Sequence, residues 1–300
     1  MLSILIPTYN YDCRSLVNSL HEQAEQIGIV YEIIIADDAS PSETHKKKNR
    51  ELNSLSHCRV IELTENIGRA RIRNRLADEA EYNWLLFMDC DAEVISHTFL
   101  TDYLRHTEAE VICGGLLHPD TLPSPNVSLR YAYEKKADKR RSAHYRSKRP
   151  YEQFTPFNFI IRKDIFQAIR FEETIHDYGH EDTLFGIELQ RRQANIRHID
   201  NPLCHTGLED NSIFLEKTRS ALRNLITMES TMQRHSSLIG AYQILSRLKL
   251  HRLAAAGFRK YEQRLVRHLT GESPRVTLFS IYKLGYYCNL KETQAATPHP

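Results

Sequence analysis

Two aspartates, Asp89 and Asp91, follow directly after the apolar run "WLLFM". The run predicts a buried strand, and residues two apart on an extended segment point to the same side of it. Like charges at such a distance repel, and burial increases the cost. Mg²⁺ or Mn²⁺ removes this repulsion and is typically held by one or two carboxylates together with substrate phosphates. The pair therefore predicts a metal–diphosphate site.

Two other kinds of binding loop, one for calcium and one for a dinucleotide, are excluded because the sequence lacks the residues that they require. The spacing D-x-D-x-E also occurs in calcium-binding EF-hand loops, which require glycine and glutamate where this sequence has Val94 and Leu100. A dinucleotide-binding loop requires G-x-G-x-x-G after the first strand, and "IPTYN" stands there instead. The metal–diphosphate interpretation is therefore favoured.

Two earlier apolar runs also end abruptly in polar residues, namely "SILIP" before "TYN" and "EIIIA" before "DDAS". Segments with helical spacing separate the runs, which predicts an α/β fold with a mainly parallel sheet covered on both faces. Ligands bind beyond the carboxyl ends of the strands in such sheets. We therefore expect one cleft to collect the polar residues at these ends, which are Thr8, Tyr9, Asp37, Asp38, Asp89 and Asp91.

The remaining segments predict two domains. "VICGGLL" (111–117) and "IRHID" (196–200) are predicted as strands, and "EDTLFGIELQRR" (181–192) as a helix. Residues 119–156 are rich in Pro, Ser and charge and predict a loop or a mobile segment, whereas residues 212–269 have helical spacing. We expect an α/β catalytic domain over 1–210, with halves 1–115 and 116–210, and a helical extension over 211–300 that ends in a disordered "TQAATPHP".

Two further residues are candidates for chemistry. Asp182 lies at the start of the predicted helix, where an acidic residue either stabilises the first turn or acts as a general base. His205 in "CHTGL" follows a predicted strand and is either a structural histidine or a nitrogen ligand that completes a metal site with Asp91. Nitrogen ligation would favour Mn²⁺ over Mg²⁺.

Charge and composition limit the partners. A net charge of +2 argues against a dedicated nucleic-acid binder. The nine Lys or Arg residues between positions 130 and 149 either belong to a solvated loop or bind a diphosphate or an anionic acceptor. The basic amphipathic segment 246–269 either packs against the catalytic domain or contacts an anionic membrane surface.

Cellular location is also predicted from the sequence. The six cysteines are scattered without a C-x-x-C pair, which is typical of reduced thiols in a cytoplasmic protein. The N-terminal residues lack the basic region of a signal peptide, and no apolar run has the length of a membrane helix. We expect a cytoplasmic protein, at most peripheral at the inner face of a membrane.

Six motifs in order resemble those of the family 2 glycosyltransferases, which have the GT-A fold. They are "PTYN", "DDAS", "NIGRARIRN", "MDCDAE", "GHEDTLFG" and "HTG", and together they span about residues 1–210. The resemblance implies an enzyme that transfers a sugar, with inversion, from a nucleotide-diphosphate sugar such as a UDP-sugar. It further implies a divalent cation, Mn²⁺ or Mg²⁺, and a glycan or lipid-linked acceptor in surface polysaccharide synthesis.

The resemblance also implies roles for individual residues. Tyr9 would stack on the base with Thr8 beside it, Asp38 would bind the base or ribose, and Arg73 would line the nucleotide pocket. Asp89 would face the ribose and metal, Asp91 and His205 would ligate the metal, and Asp182 would be the catalytic base. The Q-x-x-R-W motif of processive synthases is missing, and "LQRRQAN" stands in its region, so transfer of one sugar per encounter is expected. A nucleotide-sugar hydrolase and a catalytically silent nucleotide-sugar binder are the alternatives.

Overall fold

The computed structural model describes residues 1–174 and 179–296, which form two compact units. The first unit comprises Met1–Pro119, 138–174 and Glu181–Gly207. The second comprises Asp120–Ala137, 179–180 and 208–296. The second unit thus takes a segment from the middle of the range that was predicted as the catalytic domain.

Strands are confined to the first unit in the described ranges. They are β1 (Leu2–Thr8), β2 (Tyr31–Asp37), β3 (Cys58–Glu62), β4 (Trp84–Met88), β5 (Ala92–Glu93), β6 (Val111–Cys113), β7 (Leu116–Leu117), β8 (Asn158–Arg162), β9 (Ile196–His198) and β10 (Leu203–His205). A seven-stranded sheet has the order β3-β2-β1-β4-β8-β6-β9, and β5-β10-β7 form a small second sheet. In the large sheet β8 runs antiparallel to β4 and β6, and the other neighbours are parallel.

Helices occur in both units. They are α1 (Arg14–Ile27), α2 (Glu43–Arg50), α3 (Arg69–Glu79), α4 (Phe99–Leu104), α5 (Ser128–Lys135), α6 (Ala143–Arg146), α7 (Lys163–Ile169), α8 (Glu181–Arg191), α9 (Asn211–Thr227), α10 (Glu229–Met232), α11 (Ser237–Arg247), α12 (His251–Leu269) and α13 (Val276–Ala296). Short 3-10 turns cover Glu51–Ser54, Pro125–Val127 and Asp138–Arg140. Helices α5 and α9 to α13 belong to the second unit, and the others to the first.

The apolar run before the two aspartates is buried on both faces of the sheet. Leu86 and Met88 pack in one core cluster with Leu20 of α1, whereas Phe87 packs in a second cluster with Leu76 of α3. Successive side chains of a strand point to opposite faces, so a strand with helices on both sides must be apolar throughout. The predicted α/β fold with a mainly parallel, doubly covered sheet is confirmed.

The sequence-based predictions for residues 111–117 and 119–156 are wrong. The segment "VICGGLL" forms two strands in different sheets, because Gly115 adopts a left-handed φ of +95° and ends the extended run. Residues 119–156 contain α5 and α6 rather than only loop. Helices of eight and four residues are too short to show a clear apolar period, so the sequence gives little sign of them.

The second unit has a helical core. Phe214 of α9, Phe258 of α12 and Phe279 of α13 are buried together with Leu129 of α5. The predicted helical extension is therefore present, and α13 continues it to Ala296. Residues 293–296, predicted as disordered, belong to α13, and the rest of "TQAATPHP" lies outside the described residues.

All six cysteines are free, as predicted. Burial raises the pKa of Cys13 and Cys113 to about 12 and that of Cys58 and Cys288 to about 11. Thiols with such pKa values stay protonated at neutral pH and are poor nucleophiles and poor metal ligands. Within residues 1–174 and 179–296, no helix combines the length and the apolar character that a bilayer span needs.

Arg146, in the basic segment 130–149, is a buried structural residue. Its guanidinium donates to the carbonyl oxygens of Cys113 (3.0 Å), Gly114 (3.1 Å) and Ile199 (2.6 Å), and to Nδ1 of His198 (2.7 Å). Burial lowers the pKa of His198 to about 4, so its neutral ring can accept this hydrogen bond. Arg146 therefore holds the end of β6 and the residue after β9 together through hydrogen bonds.

We expect Arg146→Ala to lower the free energy of unfolding by about 3 kcal/mol. Several buried carbonyl oxygens lose their donor, and each unsatisfied group costs roughly 1–3 kcal/mol. Urea denaturation measures the change, with Arg149→Ala as the matched control because the Arg149 side chain is 73% exposed. Equal stability of the two variants would contradict a structural role for Arg146.

Candidate functional site

The two aspartates lie in the turn between β4 and β5, and not on an extended segment as predicted. The chain must turn here because β4 belongs to the large sheet and β5 to the small one. The backbone N–H of Asp89 donates to the carbonyl oxygen of Phe157 (3.2 Å), which anchors the start of the turn. Between the two aspartates, Cys90 packs against the hydrophobic core.

Asp89 forms an ion pair with Arg73 of α3. Nη2 of Arg73 donates to Oδ1 of Asp89 at 2.5 Å, and Arg73 is only 2% exposed. Burial opposes ionisation of Asp89, but the guanidinium groups of Arg73 and Arg69 outweigh it and keep its pKa below the usual value. Asp89 is therefore a carboxylate at neutral pH, held by a buried arginine.

A second ion pair links α3 to the start of α8. Nη1 of Arg69 donates to Oε1 of Glu181 at 2.9 Å, and the Glu181 side chain is 6% exposed. Burial opposes ionisation of Glu181, but Arg69 and Arg73 outweigh it and lower its pKa. Asp182 follows in the first turn of α8, where its Oδ1 accepts from the backbone N–H of Thr183 (2.6 Å). The two arginines of α3 thus connect Asp89 with the residue before Asp182.

Asp91 meets His205 at the small sheet. Strand β10 runs antiparallel to β5 with His205 opposite Ala92, and Nε2 of His205 lies 3.1 Å from Oδ2 of Asp91. Adjacent ligands of an octahedral ion with bonds of 2.0–2.1 Å are separated by about 3 Å. The spacing and chemistry of this oxygen–nitrogen pair fit two neighbouring ligands of one divalent cation.

Two aromatic rings of the first unit pack against His205. The ring centroid of Phe157 lies 5.1 Å from that of His205, and the ring centroid of His118 lies 5.9 Å away. Nδ1 of His118 in turn lies 2.9 Å from Oδ1 of Asp138. These contacts restrain the orientation of the His205 ring. His118 and Asp138 had no motif in the sequence that would have indicated them.

The end of β2 holds the start of α3. The two carboxylate oxygens of Asp38 accept hydrogen bonds from the backbone N–H groups of Ile67 (2.7 Å) and Gly68 (3.0 Å). Free N–H groups at a helix start are usually satisfied in this way by a side-chain oxygen. Burial raises the pKa of Asp38, although both N–H groups act against this rise. Asp38 therefore positions the helix that carries Arg69 and Arg73.

The end of β1 lies beside the end of β2. Thr8 stands opposite Asp37 in the parallel register, and the carbonyl oxygen of Thr8 accepts from the backbone N–H of Asp38 (2.9 Å). Oδ1 of Asp37 accepts from the backbone N–H of Ser40 (2.7 Å). Tyr9 is 53% exposed, so its ring is accessible for stacking.

The structure therefore brings the candidates together in two groups. Asp38, Arg73 and Asp89 are connected through α3, and Asp91 and His205 through the β5–β10 pair. Glu181 and Arg69 join Asp182 to the first group. Sequence reasoning did not assign a role to Arg69, although the motif "NIGRARIRN" places it one helical turn before Arg73.

Comparison with known proteins identifies the family. The family model described as glycosyl transferase family 2 matches residues 3–170, more than half of the chain. This chain belongs to glycosyl transferase family 2. The predicted family is confirmed. Asp182, His205 and Gly207 lie beyond the matched range.

Two curated relatives of this family 2 chain are much longer proteins. Chondroitin synthase of Escherichia coli is 25% identical over 68% of this chain and 34% of its own length. The teichoic acid poly(glycerol phosphate) polymerase of Staphylococcus epidermidis is 26% identical over 59% of this chain and 24% of its own length. The chain thus spans about a third or less of these relatives.

Solved structures support the GT-A fold. Residues 1–349 of TarS from S. aureus superpose with a TM-score of 0.52 at 17% identity, covering 98% of this chain and 91% of that one. The mannosyltransferase PcManGT of Pyrobaculum calidifontis has a TM-score of 0.55 at 12% identity, covering 97% and 87% of the two chains. These similarities concern the fold, and they agree with the sheet described above.

Removal of the Arg69–Glu181 ion pair should change the pH at which the protein unfolds in acid. A carboxyl with a lowered pKa stabilises the folded state above its unfolded pKa of about 4.5, and this contribution is lost as the pH falls through the folded pKa. Arg69→Met raises the pKa of Glu181, so we expect acid unfolding to begin at a higher pH than in the wild type. Urea denaturation between about pH 3 and pH 7 measures this shift.

The matched control is Arg71→Met in the same helix. Arg71 is 44% exposed and lies 3.7 Å from an exposed Glu173, so its removal should leave the pH profile nearly unchanged. Identical profiles for the two variants would show that the Arg69–Glu181 pair makes no special contribution.

Proposed function

We propose that this chain is an inverting, non-processive glycosyltransferase that uses a nucleotide-diphosphate sugar, most simply a UDP-sugar. The acceptor is a hydroxyl group of a glycan or a lipid-linked glycan, in surface polysaccharide synthesis on the cytoplasmic side. The observation that carries the proposal is the Asp91–His205 pair, 3.1 Å apart. Asp91 lies two residues after Asp89, which forms an ion pair with the buried Arg73. This arrangement supports a metal–diphosphate end beside a nucleotide end.

Each candidate residue has a role in the proposed donor site. Asp91 and His205 would hold Mn²⁺ or Mg²⁺, which offsets the negative charge of a diphosphate leaving group when bound. Tyr9 stacks on the base beside Thr8, and Asp38 and Arg73 line the nucleotide pocket. Asp89 faces the ribose, with its charge held by Arg73.

Asp182 is the proposed catalytic base. Its carboxylate takes the proton of the acceptor hydroxyl as that oxygen bonds to the anomeric carbon. The bond from that carbon to the diphosphate oxygen breaks on the opposite face, so the configuration inverts. The neighbouring Glu181 is held by Arg69, which supports a fixed position for the first turn of α8.

Relatives of the chain support the choice of donors to test. One TarS structure contains UDP, and PcManGT was solved with GDP-Man and Mn²⁺. The names of the two longer relatives refer to chondroitin and teichoic acid synthesis, which supports a role in surface polymers. A panel of UDP- and GDP-sugars with and without Mn²⁺ is therefore the appropriate first assay.

We expect Asp91→Asn to lower nucleotide release from the best donor by at least about 100-fold, because the amide is a weaker ligand for the cation that would offset the charge of the leaving diphosphate. Asp182→Asn should lower the rate by about 10²- to 10⁴-fold while UDP affinity stays unchanged, because a general base acts only in the chemical step. Asp120→Asn is the matched control, since the Asp120 side chain is fully exposed in the second unit.

The same assay separates the alternatives. Nucleotide release that does not depend on any added acceptor indicates a nucleotide-sugar hydrolase. Tight UDP binding without turnover of any donor indicates a catalytically silent binder. Full activity of Asp91→Asn, or full activity in EDTA, contradicts the metal-dependent part of the proposal.

We also propose that the second unit contacts an anionic membrane surface, where a lipid-linked acceptor would be found. The apolar face of the basic helix α12 is covered, because Ala255, Phe258 and Leu269 are buried. At the α11–α12 turn, by which we mean residues 244–253, three aliphatic side chains are exposed instead: Ile244 at the end of α11 (59%), Leu248 between the helices (61%) and Leu253 at the start of α12 (70%). The contact is therefore assigned to this turn rather than to the face of α12.

Charge around the turn supports an anionic partner. Arg247, Lys249 and Arg252 alternate with its exposed aliphatic residues. Residues 230–261 contain six Lys or Arg and no Asp or Glu, although the whole chain has a net charge of only +2. Exposed aliphatic residues among basic ones are typical of segments that bind at the membrane interface. Each basic residue near an anionic surface adds about 1 kcal/mol.

Vesicle flotation tests this contact. We expect the protein to float with vesicles that contain phosphatidylglycerol and not with pure phosphatidylcholine. The double variant Leu248→Ser/Leu253→Ser should lose most of this binding, whereas Ile213→Ser, which changes a 50%-exposed residue on α9, should keep it. Absence of binding contradicts the contact. If the wild type is a dimer in solution and the double variant is a monomer, the turn is instead a self-association surface.

A further inference from the structure

The segment after β10 encloses Asp91. The backbone N–H and the hydroxyl of Thr206 both donate to the carbonyl oxygen of Asp91, at 2.9 and 3.0 Å. Immediately before it, His205 contacts the Asp91 carboxylate. The main chain of Asp91 is thus held by Thr206, and its carboxylate faces His205 on one side.

Gly207 lies against the Asp91 side chain. A Cβ atom on Gly207 would stand 2.3 Å from Cβ, 2.4 Å from Oδ2 and 2.7 Å from Cγ of Asp91. Real Cβ atoms essentially never approach another heavy atom closer than 3.0 Å. Rotation of the Asp91 side chain cannot relieve this overlap, because the backbone itself fixes the position of Cβ. Any residue other than glycine must therefore displace Asp91.

The requirement for glycine here concerns space and not backbone conformation. Gly28, Gly68, Gly115 and Gly179 have left-handed φ values, and Gly207 is not among them. Alanine can therefore adopt the backbone conformation of Gly207 without strain. A Gly207→Ala variant changes the space beside Asp91 and little else.

We propose that Gly207 is a positioning residue that sets where the Asp91 carboxylate stands relative to His205. It thereby sets the geometry in which Asp91 and His205 receive a divalent cation and the diphosphate that accompanies it. The inference rests on the proposed function of Asp91 as a metal ligand. It adds Gly207 to that site, although Gly207 has no side chain that could bind the cation.

Binding measurements on the whole chain test this role. Free Mn²⁺ is measured by electron paramagnetic resonance, and UDP affinity is measured with Mn²⁺ and in EDTA. We expect Gly207→Ala to weaken Mn²⁺ binding by about 10- to 100-fold, the range typical of residues that support a metal ligand. The three nearest atoms that the new Cβ would meet all belong to Asp91, so UDP affinity in EDTA should stay close to wild type. The thermal midpoint should fall by no more than a few degrees, as for a single overpacked contact.

Two other glycines provide matched controls. A Cβ on Gly240 in α11 or on Gly257 in α12 would meet no atom within 4 Å, and neither glycine has a left-handed φ. Gly240→Ala and Gly257→Ala should therefore bind Mn²⁺ and UDP as the wild type does. These variants show what the same chemical change does where space is available.

Each other outcome is decisive. Wild-type Mn²⁺ affinity in Gly207→Ala overturns the inference alone. A loss of UDP affinity in EDTA as large as the loss of Mn²⁺ affinity, together with a large fall in the thermal midpoint, also overturns it, because it shows a general structural role. A wild-type chain that binds no Mn²⁺, with or without UDP, contradicts the proposed metal site and this inference together.

Discussion

The negative charge at the end of β4 is the constraint on which the site depends. A strand that is apolar on both faces ends at a turn between two sheets, where Asp89 and Asp91 are only partly exposed to water. The fold compensates the two carboxylates differently. Asp89 forms an ion pair with the buried Arg73, whereas Asp91 faces the imidazole of His205. Asp89 therefore has a cationic partner within the protein, and Asp91 is the carboxylate that the proposed function assigns to a metal ion.

Helix α3 organises one side of this site. Asp38 binds the N–H groups at its start, Arg73 holds Asp89, and Arg69 holds Glu181 beside Asp182. One rigid helix thus connects the end of β2, the end of β4 and the start of α8. Arg69 and Arg73 are four residues apart, so they lie on the same face of the helix and each lowers the pKa of both acids. A displacement of α3 would therefore move the partners of Asp38, Asp89 and Glu181 together.

The basic residues show that charge in a sequence has several uses. Arg146 is buried among carbonyl oxygens and supports the sheet, whereas Arg149, three residues later, is 73% exposed. The exposed bases of the α11–α12 turn lie among exposed aliphatic side chains in the second unit. A count of lysines and arginines does not separate these cases, because burial and the nearest acceptors decide what each cation does.

The sequence by itself determined the alternation of strands and helices, the family and the candidates Asp89, Asp91, Asp182 and His205. It could do so because apolar period and short motifs are local properties of the chain. Only the tertiary structure showed that Asp38 binds the start of α3, that Arg69 pairs with Glu181 112 positions away, and that Gly207 gives Asp91 its space. The separation of "VICGGLL" into two sheets and the burial of Arg146 were also decided there. Each depends on atoms that are distant in sequence and adjacent in space, and no local pattern records such pairs.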